Sequence, residues 1–266
     1  MWLSVNDSSP VYYGVLLGGQ LIPMTRVFLF IITSSNVYYN YSMGHDYAYK
    51  VTEVAEALQK KYKDFTHHNK RNPLDELLFI ICSIKRSEKV YLSSYRILKK
   101  EFPSYQNLLE APTEKISGIL ASAGLQNQKA LMIKQTLTAI TERFGRPTLT
   151  PLKKMSDVEC EDFLLGLHGV GKKVARCVMM YALGRQVFPV DSNCWRISCR
   201  LGLIKSSHDG NGYCSDIQMD LLQSMISPHL RFSLHVNMVS HGREICKIRN
   251  PHCDGCSIKG YCSKLT

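Results

Sequence analysis

The chain has 266 residues, 45% apolar and 21% charged, which excludes a disordered chain and leaves room for one large domain or two modest ones. Lys and Arg (33) outnumber Asp and Glu (22), for a formal charge of +11, a surplus that suits a polyanionic partner, nucleic acid first, or a basic surface kept for solubility. Ten cysteines do not make a secreted disulfide scaffold, because four fall in the last 21 residues while Cys82, Cys160, Cys177, Cys194, Cys199 and Cys214 are scattered singly; the expected compartment is intracellular and reducing.

Residues 1–45 stand apart. From Ser8 to Gly44 the only formal charge is Arg26. The apolar runs Val11–Leu17 and Leu21–Ile32 are each shorter than the roughly 18–20 residues that span a bilayer, and no basic segment precedes them as a signal peptide requires. No membrane association is expected. An organelle-targeting role stays open, as does Met43 as an alternative start. The segment is read as an N-terminal extension with no assigned fold and no strand pattern.

Helical periodicity takes over at Tyr47. Val51, Val54, Leu58 and Tyr62 recur at helical spacing, with Lys60, Lys61 and Lys63 on other faces. Asn72-Pro73 opens a second helix with a buried stripe of Leu74, Leu77, Leu78, Ile80 and Ile81. Further helices are expected over Val90–Phe102, Ser104–Glu110, Thr113–Ala123, Gln128–Phe144, Ser156–Leu167, Lys172–Leu183, Asp191–Leu201, Asp216–Ser227 and Ser233–Glu244. The short connections carry Gly, Pro, Asn and Ser. The expected class is all-α.

Between two of these helices lies Leu167-His168-Gly169-Val170-Gly171-Lys172-Lys173-Val174-Ala175. The glycines permit a tight hairpin, and the free N–H groups at the new helix start make an anion site suited to a DNA phosphate. Lys172 and Lys173 sit about 100° apart on the helix, so only one can face a given pocket. Eighteen residues after Lys173, Asp191 opens the next helix, as an N-cap or as a carboxylate fixed in a cleft.

The chain ends in Cys246-(six)-Cys253-(two)-Cys256-(five)-Cys262. Four thiolates can ligate a cubane [4Fe–4S] cluster or a tetrahedral zinc, and two disulfides are a third possibility. One C-x-x-C pair with longer arms favours the cluster over the paired knuckles of zinc sites. Pinning the arm between Cys246 and Cys253 would present Lys247 and Arg249 on a fixed loop, either against phosphates or simply in solvent.

These features together resemble the endonuclease III branch of the helix–hairpin–helix DNA glycosylases, from about Pro73 to Cys262. The resemblance is carried by Leu167–Ala175, Val190-Asp191-Ser192, His241-Gly242-Arg243 and the cysteine spacing. It implies a six-helix barrel domain (72–185), a cluster domain (186–266) joined by an N-terminal helix (46–71), and a DNA cleft between them. It implies Lys173 as the nucleophile of a base-excision glycosylase and abasic-site lyase, with a neutral amine made available by burial and nearby positive charge. Asp191 is then the carboxylate that assists deprotonation, and oxidised pyrimidines in double-stranded DNA are the substrates of a monomer. Gly169, Val170 and Gly171 would grip a phosphate, and Leu125 would wedge into the stack vacated by the flipped nucleotide. Two departures stand out. The family's S-A-Q-A-T-D is Ser83-Ile84-Lys85-Arg86-Ser87-Glu88 here, with Lys85 at the glutamine that fills the vacated position, and the hairpin proline is His168. A monofunctional adenine-type enzyme and a non-catalytic damaged-DNA binder are the alternatives; the first normally lacks the lysine.

Overall fold

A computed structural model describes the backbone of residues 13–17, 20–24, 34–65, 68–205 and 212–263, with side chains from Tyr47 onward. The chain divides into two compact units, residues 1–45 and 46–266.

In the first unit, β1 (Tyr13–Leu17) pairs antiparallel with β2 (Gln20–Met24), with Leu17 opposite Gln20 and Tyr13 opposite Met24. The sequence predicts no strand in this stretch. Its apolar residues run continuously instead of alternating, so periodicity hides the strands. The signal that could have found them is the Gly18-Gly19 dipeptide between two β-prone runs, a two-residue hairpin signature. Helix α1 (Ser34–Tyr62) also starts well before Tyr47.

The second unit is helical throughout its described residues. Helices α2 (Pro73–Ser83), α3 (Glu88–Glu101), α4 (Tyr105–Glu110), α5 (Thr113–Ile119), α6 (Gln126–Phe144), α7 (Asp157–Leu165) and α8 (Lys172–Leu183) surround one hydrophobic core. Helices α9 (Ser192–Arg200), α10 (Asp216–Met225) and α11 (Arg231–Glu244) surround another, shared with Val51, Val54, Ala55 and Leu58 of α1. Each start has a local cause. Asn72 Oδ1 accepts from Leu74 N (2.9 Å) and Asp75 N (3.1 Å), with Pro73 at the position where its missing N–H is harmless. Ser156 with Glu159 and Ser215 with Gln218 form reciprocal capping boxes on α7 and α10. Among the described residues no helix is long and apolar enough to cross a membrane.

An ionic network around the buried Arg176 links the two cores. Arg176 of α8, 2% exposed, donates from Nε to Glu161 of α7 (2.6 Å) and from Nη2 to Asp220 of α10. Lys172 reaches the same Asp220 at 2.6 Å. The N-terminal half of α8 is thereby tied to α7 and α10, and a cavity opens between Lys173 of α8 and Asp191 at the start of α9.

Candidate active site and cysteine loop

The cavity is about 570 Å³, within the usual range for a ligand pocket. Its walls come from both cores: Phe79 and Ile80 on α2, Lys173, Cys177 and Tyr181 on α8, Asp191 and Asn193 at α9, His235 and Arg243 on α11. Lys173 and Asp191, linked by sequence only as a spacing, therefore face the same space. Lys172 is turned away, 11% exposed and held by Asp220, so the 100° between adjacent helical residues decides which lysine enters the cavity.

Asp191 caps α9. Its Oδ1 accepts from Asn193 N (2.9 Å) and Cys194 N (2.8 Å), and its Oδ2 from Asn193 Nδ2 (3.0 Å). Burial pushes its acidity down, but His235, those donors and Lys173 outweigh it and leave the carboxyl below its usual range. The two readings of Asp191, cap and cleft carboxylate, are one geometry.

Lys173 departs from expectation. Its ammonium is held above the usual range, not depressed: the field of Cys177 acts first, against burial, followed by Asp191, Glu76 and Cys194. Burial pushes the Cys177 thiol up to about 11, so at neutral pH that group is uncharged. The carboxylates of Asp191 and Glu76 act on Lys173 in the same upward direction, against burial. What the sequence concealed is Glu76, a fully buried carboxylate on α2 that accepts from Asn69 Nδ2 and Lys70 N, both at 2.6 Å.

The hairpin before α8 is only partly as expected. Gly169 has φ +75°, and a Cβ there would meet Met132 Sδ at 3.0 Å, so glycine is required. Gly171 has an ordinary φ of −92° and open space around it. The Val170 side chain is buried in the first core and its N–H bonds Leu167 O at 3.1 Å, so it offers nothing to a phosphate. No side chain caps the first turn of α8.

At the cavity mouth, Lys85 is exposed with φ +52°, and Arg86 lies over Gly124 so closely that no Cβ fits there. Leu125 follows in the left-handed region (φ +52°), 40% exposed at the start of α6. Two non-glycine residues in this region beside one opening mark stored backbone strain. Arg243 Nη1 donates to Glu88 Oε2 at 2.6 Å across the mouth.

The cysteine loop is held from α9. Arg196 Nε donates to Cys246 O (2.8 Å) and its Nη2 to Gly242 O (3.0 Å) and Asn193 Oδ1 (2.9 Å). Arg200 Nη1 donates to Cys246 Sγ (3.1 Å) and Lys247 O (2.9 Å). Lys247 and Arg249 are exposed on this loop. His241 is buried, its Nδ1 3.0 Å from Tyr62 Oη and its Nε2 3.5 Å from Cys256 Sγ. The thiols of Cys246, Cys262 and Cys253 all lie within electrostatic reach of Cys256. Among the described residues no three His, Cys, Asp or Glu side chains converge on a point that could hold a single metal ion.

The family model for the HhH-GPD superfamily base excision DNA repair protein matches residues 80–212, half of the chain. The chain belongs to the HhH-GPD superfamily. Endonuclease III of Thermotoga maritima is 25% identical over 212 residues, covering 80% of this chain and 92% of that protein. Endonuclease III of Sulfolobus acidocaldarius is 28% identical over 197 residues (72% and 82%). DEMETER-like protein 2 of Arabidopsis thaliana is 29% identical over 164 residues, 56% of this chain but 12% of that much longer protein. A further Arabidopsis thaliana relative is 29% identical over 200 residues, and the chain spans 66% of its length. A non-covalent endonuclease III–DNA complex superposes with a TM-score of 0.67 at 21% identity, over 88% of this chain and 97% of that one. The expected all-α helix–hairpin–helix architecture is thus the one that the second unit of this HhH-GPD protein has.

Three features of the HhH-GPD site lay outside the sequence expectations: Glu76, the arginine pair Arg196 and Arg200, and the Arg243–Glu88 bridge. The arginines were signalled by their i, i+4 spacing on the helix that Asp191 caps. Glu76 carried no signal beyond an acidic residue in a helix first turn, where acids are common.

Proposed function

We propose that this protein is a base-excision-repair DNA glycosylase with abasic-site lyase activity, acting on damaged, oxidised-pyrimidine nucleotides in double-stranded DNA. The observation that carries it is the convergence of Lys173 and Asp191 on one cavity lined from both cores. A nucleotide must leave the stack to reach such a cavity, and Leu125, 40% exposed and next to the Gly124 against which Arg86 of the cavity wall lies, is an apolar side chain available to fill the gap. The neutral Lys173 amine attacks C1′ and the base departs, leaving a Schiff base between Nζ and the opened sugar. Asp191, ionised and fixed by three hydrogen bonds, faces the positive charge that develops on the sugar. The Schiff base then acts as the electron sink for β-elimination of the 3′ phosphate.

The cysteine loop suits a [4Fe–4S] cluster by its donor set. Cys246, Cys253, Cys256 and Cys262 are free thiols, and a cubane takes one thiolate at each separate iron, so the sulfurs need not meet at one point. Such a cluster would supply a structural cross-link that keeps Lys247 and Arg249 on a rigid loop against DNA phosphates. Ten free cysteines fit an intracellular, reducing compartment. The cavity is built within one chain, which suits action as a monomer.

Incubation with abasic-site DNA and borohydride tests this function. Wild type is expected to form a covalent adduct and Lys173→Ala none. Absence of a wild-type adduct, or an undiminished adduct in the variant, would overturn it.

A further inference from the structure

We propose that Glu76 is the second carboxylate of the active site, counter-ion to Lys173 in the free protein and acceptor of its proton once DNA fills the cavity. This rests on the lyase reading above and adds a proton route to it. The family resemblance assigns deprotonation to Asp191 alone.

The first ground is charge balance. Glu76 is 0% exposed, and its two direct partners, Asn69 Nδ2 and Lys70 N, are neutral donors. A buried carboxylate needs a cation nearby. Lys70 and Lys173 are the ammonium groups whose fields reach it. The Lys70 ammonium is engaged elsewhere: it donates to His68 O at 2.7 Å and lies 4.5 Å from the Phe79 ring centroid and 5.2 Å from that of Tyr95. Lys173, whose field at Glu76 is the larger of the two and which also lines the cavity, is the principal counter-charge.

The second ground is access. Asn69 lines the cavity with Lys173. Its Nδ2 is fixed on Glu76, so its Oδ1 points the other way, buried and without a hydrogen-bond partner. Asn69 thus stands in the wall with the Glu76 carboxylate directly behind it, and that carboxylate has further lone pairs beyond its two acceptor bonds.

The third ground is the inequality of the two carboxylates. Both oxygens of Asp191 are committed to donors that favour its ionised form, and its acidity is strengthened. Burial dominates at Glu76 and weakens its acidity. Two carboxylates pushed apart in this way divide the roles: the weaker acid takes the proton and the stronger one stays charged. Cys177 and Tyr181 of α8 and His235 of α11 also face this space, with Cys194 of α9 buried behind His235, and burial raises the two thiols and the phenol so that they stay protonated at neutral pH.

In the step itself, one N–H bond of the Lys173 ammonium breaks and the proton passes to a Glu76 oxygen, directly or over one water. Glu76 becomes a neutral carboxylic acid, and the freed lone pair of Nζ forms the bond to C1′ as the C1′–N bond breaks with its pair leaving on the base (on abasic-site DNA, as the aldehyde C=O π pair moves onto oxygen). The charge summed over Lys173, Glu76 and Asp191 stays at −1, now located on Asp191, where the sugar develops positive charge.

Because the proton moves within the pair, the rate should not depend on pH across the neutral range. With Glu76→Gln, Lys173 must release its proton to solvent, and the rate should climb about tenfold per pH unit below the amine pKa. The experiment is single-turnover trapping on abasic-site DNA with cyanoborohydride from about pH 6 to about pH 8, with melting and DNA affinity measured in parallel. Wild type is expected to be flat, Glu76→Gln to climb, and Glu76→Asp to be flat at a lower plateau. Equal slopes in wild type and Glu76→Gln overturn the proposal. Should Glu76→Gln fail to fold, Glu76→Asp decides: a flat profile supports the shared proton and a tenfold climb per unit overturns it. A wild type that forms no adduct overturns the lyase reading itself, so the two failures are distinct.

Discussion

A Cβ on Gly242 would lie 2.6 Å from the Cβ of Asn193, so the approach of α11 to α9 depends on the missing side chain at position 242. Asn193 is not free to yield. It donates to Asp191 Oδ2 (3.0 Å) and accepts from Arg196 (2.9 Å), and it stands in the cavity wall. Gly242→Ala is therefore expected to cost about 1–3 kcal/mol, as overpacking does, and to slow excision by displacing the amide that orients Asp191. Gly171→Ala is the control, since a Cβ there meets nothing within 4 Å and the backbone is ordinary. Thermal melts of both variants, with single-turnover rates, check the contrast. Equal destabilisation of the two would sink the close-approach account.

Asp191→Asn separates the structural and chemical duties of one residue. Asparagine caps helices about as well as aspartate, so stability at neutral pH should change by no more than about 1 kcal/mol. The charge facing the sugar is lost, and excision should fall by about 10²-fold or more. The pH sign follows from the depressed pKa of Asp191. Its contribution to stability is complete above the ordinary aspartate range, about pH 4, and is lost as pH falls from there through the lower folded value. Acid melts should therefore be less steep for Asp191→Asn than for wild type.

Much of this site is local in sequence, and those parts were legible. The bounds of α8, Lys172–Leu183, follow from a glycine hairpin and a helical stripe, and Asp191 is recognisable as a helix start. Errors of boundary have local causes too. The helix expected over Thr113–Ala123 breaks at Leu120 into a 3-10 turn that delivers Gly124 and Leu125 in positive-φ conformations. Long-range pairings were not legible. Nothing near Glu76 announces that α2 will pack on α8 and bring its carboxylate to Lys173. The raised acidity expected at Lys173 is opposed first by Cys177, one turn on along α8, and then by Asp191 at α9 and Glu76 of α2.

Asp220 ties Lys172 and the buried Arg176 together across the two cores. Asp220→Ala leaves Arg176 with Glu161 alone, and a buried guanidinium stripped of a partner is costly. The expected destabilisation is about 1–3 kcal/mol, seen as a lower denaturation midpoint. Lys172→Ala should cost less, because Arg176 keeps both acceptors. A larger loss for Lys172→Ala than for Asp220→Ala would show that the network is centred elsewhere.

Cluster content is read directly from the purified protein. Four thiolates on a cubane predict about four irons per chain and a broad absorbance near about 400 nm. Cys256→Ala should lose both. It should also lower the melting temperature, because the loop then depends on hydrogen bonds, chiefly those from Arg196 and Arg200, without the metal cross-link. Stoichiometric zinc in a colourless protein would assign the four cysteines to a tetrahedral site.

The salt dependence of DNA binding distinguishes the lysines that sequence alone treats alike. Removing one cation that neutralises a phosphate should lower the slope of log K against log salt by about one unit. Lys247 and Arg249 are exposed on a loop whose backbone is clamped by Arg200, which donates to Lys247 O at 2.9 Å and Ile248 O at 3.3 Å. Their charges are thus presented without a large ordering cost on binding. Lys247→Ala and Arg249→Ala should each reduce the slope, and the double variant should reduce it by about two units. Lys172 stands beside the glycine hairpin and looks equally available in the sequence, yet its ammonium is held by Asp220 at 2.6 Å. Lys172→Ala should leave the slope unchanged. A drop of about one unit there would mean that DNA displaces Asp220 from Lys172, and the ion pair between the cores would then be a feature of the free protein alone.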